Sequence, residues 1–130
     1  MHLRQELVAA AFETHLQMVE MVQGVPVLVA MLPNADADTL REMTDRFRRR
    51  YASGVVVLGS AVDERPMIVA AVTDDLIKRV HAGELVKAVA QKIGGSGGGR
   101  PTLAQAGGKD AAHLSEALDQ VVPWLKNKLG

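Results

Sequence analysis

The chain has 130 residues, enough for one domain with its own core, and 48% hydrophobic against 23% charged residues places it outside the composition of disordered segments. It has no cysteine, which excludes disulfides, thiol nucleophiles and thiolate metal sites. No apolar run approaches the ~20 residues that span a bilayer, and the start lacks a basic-then-apolar secretory layout; a cytoplasmic location without a membrane partner is expected.

In chain order, Leu3, Leu7, Ala10, Ala11, Thr14, Met18, Met21 and Val22 recur at helical spacing and predict a helix over residues 2 to 22, with Arg4, Glu6, Glu13 and Glu20 on its polar side and Gly24 and Pro26 ending it. Val25 to Leu32 is a short apolar run between breakers and predicts a buried strand. Asp36 or Asp38 can cap a second helix, whose Leu40, Met43, Phe47 and Tyr51 share one face. The β-branched run Val55 to Leu58, the turn residues Asp63 to Pro66 and the run Met67 to Val72 predict a hairpin of buried strands.

Asp74 or Asp75 can start a short helix through Val80, and Gly83 separates it from a helix over Glu84 to Ile93 with Leu85, Val86, Val89 and Ile93 facing in. After a glycine-rich segment, Leu114, Leu118, Val121, Val122 and Leu125 predict a last amphipathic helix that Pro123 must kink or split. The expected fold is α/β: an N-terminal helical segment (1–24), then a globular domain (25–130) with a mixed sheet, flanking helices and a glycine-rich loop.

Net charge is zero, but it is unevenly spread. Between Lys78 and Lys109, six basic residues face Glu84 alone; between Arg41 and Arg50, five arginines face Glu42 and Asp45. A neutral chain with such segments can present a positive patch to an anionic partner.

The segment Gly94 to Asp110 opens with five glycines in six positions. Alone it reads as a flexible linker. Its bracketing by amphipathic helices, and its continuation into Leu103, Ala104 and a second Gly-Gly pair, favour instead an ordered surface where backbone meets a ligand closely. Arg100 and Pro101 follow the glycines where a P-loop needs Lys-Ser/Thr, and the Gly-x-Gly-x-x-Gly dinucleotide pattern is missing from this loop, so a nucleotide cofactor is not expected.

The run Lys78 to Val86, the glycines, Arg100-Pro101 and Ala104 to Gly108 together resemble the DHH-associated domain found at the end of alanyl-tRNA synthetases, as do Ser53 to Ser60 and Val69 to Thr73 upstream. The resemblance covers essentially the whole chain and departs from the family at Ser96, inside the glycine run, and at Thr102, where an acidic residue is common. It implies a module that binds the tRNA elbow, where the D and T loops meet, and helps couple aminoacylation to editing, with the synthetase and editing domains of a parent chain as partners. ATP and zinc would belong to those other domains, and no catalytic or metal site is expected here. The RNA-binding candidates are Lys78, Arg79, His81, Lys87, Gly97, Gly98, Gly99, Arg100, Gln105 and Lys109, with the arginines at 46 to 50 as a second contact. For His81, helix capping is the competing reading. Two other classes stay open: a structural module dimerising through the N-terminal helix, and the substrate-binding half of a DHH-type phosphoesterase.

Overall fold

The computed structural model describes residues 2–130, with side chains from Glu6 onward; the expectations for Leu3 and Arg4 lie outside the described side chains. Helix α1 (His2–Leu16) is shorter than its sequence pattern suggested. It buries Val8, Phe12 and Leu16, while Leu7 is 67% exposed. The inward stripe is therefore one residue out from the expected one, because the large Phe12 sets the buried face and a strict four-residue spacing carries it. Residues expected in the last turns of that helix form strand β1 (Glu20–Val22) instead. Gln23 and Gly24, both at positive φ (51° and 80°), turn it into β2 (Val25–Met31), with Val22 opposite Val25. Two successive positive-φ residues match the twist of a tight hairpin.

Helix α2 (Ala37–Arg50) starts at Asp36, whose side chain accepts from the Thr39 N–H at 2.9 Å. It buries Leu40, Met43 and Phe47, and the Tyr51 ring stacks on Phe47. Strand β3 (Val55–Val62) then pairs with β2 in parallel, and β4 (Arg65–Val72) folds back against β3 through the positive-φ pair Asp63 and Glu64. A 3-10 turn at Asp74–Leu76 replaces the longer helix expected there. Asp75 does not cap it: its carboxylate accepts from the Ser53 and Thr73 hydroxyls, tying the approach to β3 to the exit of β4.

Helix α3 (Ala82–Ala90) contains Gly83 inside its first turn rather than being bounded by it. A Cβ there would stand 2.8 Å from the Gly99 carbonyl oxygen, so the glycine serves close packing rather than chain breaking. The segment expected as a loop is a hairpin: β5 (Ser96–Gly99) and β6 (Leu103–Gly107) are antiparallel, and β6 adds to β4. Sheet pairing satisfies backbone groups that a glycine-rich loop would leave to water. Helices α4 (Leu114–Asp119) and α5 (Val121–Leu129) follow, divided at Gln120, with Pro123 in the first turn of α5 where its missing N–H costs little.

The six strands run in the order β1-β2-β3-β4-β6-β5. One face of the sheet (Val27, Val55, Val57, Ile68, Ala70, Ala104, Ala106) packs on α3, α4 and α5, and the other (Leu28, Ala30, Val56, Leu58, Val69) on α1 and α2. The alternation of inward sides along β3 and β4 explains their almost unbroken apolar sequence: both faces are covered. The glycine hairpin therefore closes one edge of a three-layer α/β/α domain.

Candidate nucleic-acid interface

The hairpin is held from three directions. The Gly95 N–H donates to the Ala90 carbonyl (3.0 Å), those of Lys109 and Asp110 donate to the Ile93 carbonyl (2.8 and 3.0 Å), and that of Ala82 donates to the Pro101 carbonyl (2.9 Å). Its closed end, with Arg100, thus sits against the start of α3, while its open end is bound to the end of the Gln91–Ile93 turn.

Two glycines show why side chains are excluded here. A Cβ on Gly95 would lie 1.9 Å from the Gly107 carbonyl oxygen, and one on Gly97 would lie 2.4 Å from the Ala106 Cα. Gly98 is different: among the described residues nothing stands within 4 Å of where its Cβ would be. Gly98 pairs with Gln105, and directly paired residues point to the same side of a sheet. Ala104 and Ala106 point into the core under α3, so Gly98 and Gln105 face the opposite side. On that side α2 packs on β3 and β4, and both Gly98 and Gln105 are exposed. The outer part of the sheet is therefore an open face, bare at Gly98 and with Gln105 exposed beside it.

Cations flank this plane. Arg100 is exposed at the closed end. At the open end, a cleft of about 610 Å³ is lined by Arg65, Lys109 and the glycines 94, 95, 107 and 108. The Gly108 N–H donates to the Pro66 carbonyl (3.1 Å), continuing the Met67 to Gly107 register by one step. Arg65, one residue before Pro66, lines the same cleft as Lys109. Two cations lining one cleft make it locally electropositive. Arg65 belongs to this site although it lies outside the basic segment of the sequence; only the β4 to β6 register could have found it.

Residues 24–127 match the model of the DHHA1 domain. The chain belongs to that family. It is 48% identical over 124 residues to the alanine-tRNA ligase of Aromatoleum aromaticum, covering 95% of this chain and 13% of that protein; the chain thus spans about an eighth of such a relative. The crystal structure of the C-Ala domain from Aquifex aeolicus alanyl-tRNA synthetase superposes with a TM-score of 0.75 at 28% identity, covering 83% of this chain and 97% of that one. The pGpG-specific phosphodiesterase PggH from Vibrio cholerae shares the fold at 13% identity and a TM-score of 0.54, over 95% of this chain and 41% of that one.

In this DHHA1 domain the candidate residues fall into distinct places. Gly98 and Gln105 share the open face, with Arg100, level with Leu103, and Lys109 at its two ends, separated by roughly 20 Å at ~3.4 Å per residue. Gly97 and Gly99 are exposed on the same edge strand. His81 is the N-cap of α3, its Nδ1 accepting from the Glu84 N–H at 3.2 Å. Arg79 donates to the Leu129 carbonyl at 2.7 Å and so holds the end of α5. Lys87 is exposed on α3, on the far side of the sheet from Gln105, and Lys78 is exposed just before Arg79. The arginines at 46 to 50 lie elsewhere: Arg46, Arg49 and Arg50 line a shallow cleft with Glu13 and Leu16 of α1. Ser96 occupies the first position of β5 without positive φ, and the Thr102 carbonyl accepts from the Val72 N–H at 3.0 Å in the hairpin turn.

Proposed function

We propose that this DHHA1 domain is the tRNA-binding module of an alanyl-tRNA synthetase, docking on the tRNA elbow and thereby helping present one tRNA to the aminoacylation and editing centres of the parent enzyme. The observation that carries the reading is Gly98. Packing explains why Gly95 and Gly97 lack side chains, whereas among the described residues nothing lies within 4 Å of where a Gly98 Cβ would stand. An exposed position kept bare without such packing suits a flat partner such as a stacked base pair at the elbow. Arg100 at one end, and Arg65 with Lys109 at the other, suit the phosphates around it. ATP and zinc chemistry belong, on this reading, to other domains of the parent chain.

The direct test is binding of folded tRNA by the chain across a salt series. The wild type is expected to bind with an affinity that falls as salt rises, and Arg100→Ala with Lys109→Ala to lower the salt slope by about two, roughly one for each phosphate no longer neutralised. Equal binding by wild type and double variant would overturn the assignment.

A second reading, dimerisation through the N-terminal region, is favoured by Leu7 on α1, Met18 in the turn after it and Met21 on β1, which are 67%, 72% and 64% exposed. Sedimentation of wild type and Leu7→Glu separates the two: a dimer that dissociates in the variant, with no tRNA affinity in either form, supports the second.

A further inference from the structure

The Gln105 side chain is held by a relay from α2. Arg41 donates through one guanidinium nitrogen to the Gln105 Oε1 at 2.5 Å and through the other to the Asp38 carboxylate. The chemistry of this contact decides which way the amide faces. A guanidinium has five donors and no acceptor, so only the carbonyl end of the amide can meet it. The Nε2 end must then point away from α2. Among the described residues none accepts from Nε2, and Gln105 is exposed beside Gly98, its partner across the strand pair.

Resting on the tRNA reading above, we infer that Gln105 is a specificity-determining donor: its amide N–H groups, aimed by Arg41 and Asp38, bind a neutral acceptor, a base-edge carbonyl or ring nitrogen, of the nucleotides lying over Gly98. Arg41 is a positioning residue. Its charge is engaged by Asp38 and its fork is divided between two protein acceptors, so it acts on RNA through Gln105 rather than directly. A neutral amide with a fixed donor end suits a base edge better than a phosphate, which draws cations.

The relay is tested with the full chain and folded tRNA, in a cycle of Arg41→Ala, Gln105→Met and the double variant. Methionine keeps the length of glutamine and removes both donor and acceptor. Gln105→Met is expected to weaken binding about tenfold, equivalent to ~1.4 kcal/mol, with the salt slope unchanged. Arg41→Ala is expected to weaken the wild type about threefold and the Gln105→Met variant not at all. In the free protein, the Gln105 side-chain amide resonances should show restricted motion and shifts away from those of a free glutamine in the wild type, and free-glutamine shifts and mobility in Arg41→Ala. Equal tRNA binding by wild type and Gln105→Met overturns the donor role, and a reduced salt slope in that variant overturns the choice of a neutral acceptor. Additive effects of the two substitutions overturn the relay. A wild type that binds no tRNA overturns the parent reading instead, and the resonances still judge the relay by themselves.

Discussion

Two glycines three positions apart make opposite predictions. Gly98→Ala adds a methyl group into open space at a backbone position that every residue type can adopt. Folding stability should hold or rise by about 0.4 to 1 kcal/mol, since alanine loses less chain entropy on folding, while tRNA affinity should fall because the methyl group lifts a flat partner off the sheet. Gly95→Ala meets the Gly107 carbonyl oxygen at 1.9 Å. It should cost stability by more than the ~1 to 3 kcal/mol of ordinary overpacking, since backbone must move. Thermal melts and tRNA titrations of both variants read the contrast, and a Gly98→Ala chain that binds as well as the wild type removes the main support for the bare-plane reading. Asp75 supplies a prediction of a different kind. The Ser53 hydroxyl beside it, then that of Thr73, holds its carboxyl below the usual aspartate value against a smaller opposing effect of burial. The unfolded chain therefore takes up this proton at a higher pH than the folded one does. The stabilisation is complete above the ordinary aspartate value and is lost as pH falls through the lowered folded value. Ser53→Ala should lower stability at neutral pH and make it less dependent on pH in the acid range, so that melts of the variant and the wild type converge as pH falls.

Among the elements, α3 joins the fold to the site most directly, because its start carries the hairpin turn through the Ala82 to Pro101 hydrogen bond. His81→Ala removes the side-chain acceptor for Glu84 and should cost about 1 kcal/mol, the usual size of an N-cap loss. His81→Asn should recover most of that stability, and tRNA affinity should track the stability of α3 in both variants; Asn restoring the melt but not the affinity would place His81 itself on the RNA. Elements defined by one strong local signal were legible in the sequence. The β-branched runs of β3 and β4, the cap and stripe of α2 and the inward positions of α3 stand as their spacing predicts. Elements defined by long-range pairing were not. Strand β1 has three residues and takes its identity from β2 across a two-residue turn. Strand β5 is serine and glycine, which have no strand preference of their own, and becomes a strand because β6 lies beside it. The site divides in the same way. Its basic and glycine-rich residues could be counted along the chain, but Arg65 and Arg41 reach it from β4 and α2 through tertiary packing, which neither the turn around Arg65 nor the arginine run that opens at Arg41 reveals.

At the scale of the molecule, a chain with zero net charge can hold a polyanion only by orienting one face to it. The sheet supplies two candidates. Lys87 belongs to the helical side, over α3, whereas Arg65, Lys109 and Gln105 belong to the hairpin side. The turn carboxylates Asp63 and Glu64 precede Arg65, and Asp63 lines a separate cleft with it, so the hairpin side offers a local two-cation seat rather than a broad positive field. If RNA docks on the hairpin side, Arg65→Ala should weaken tRNA binding and lower the salt slope by about one. Lys87→Ala should leave both within experimental scatter. The effect of Arg65→Ala should also differ in a chain already carrying Lys109→Ala, because two cations lining one cleft are coupled. Docking on the helical side reverses the ranking of Arg65 and Lys87, and titrations of these variants at two salt concentrations distinguish the faces without a structure of the complex.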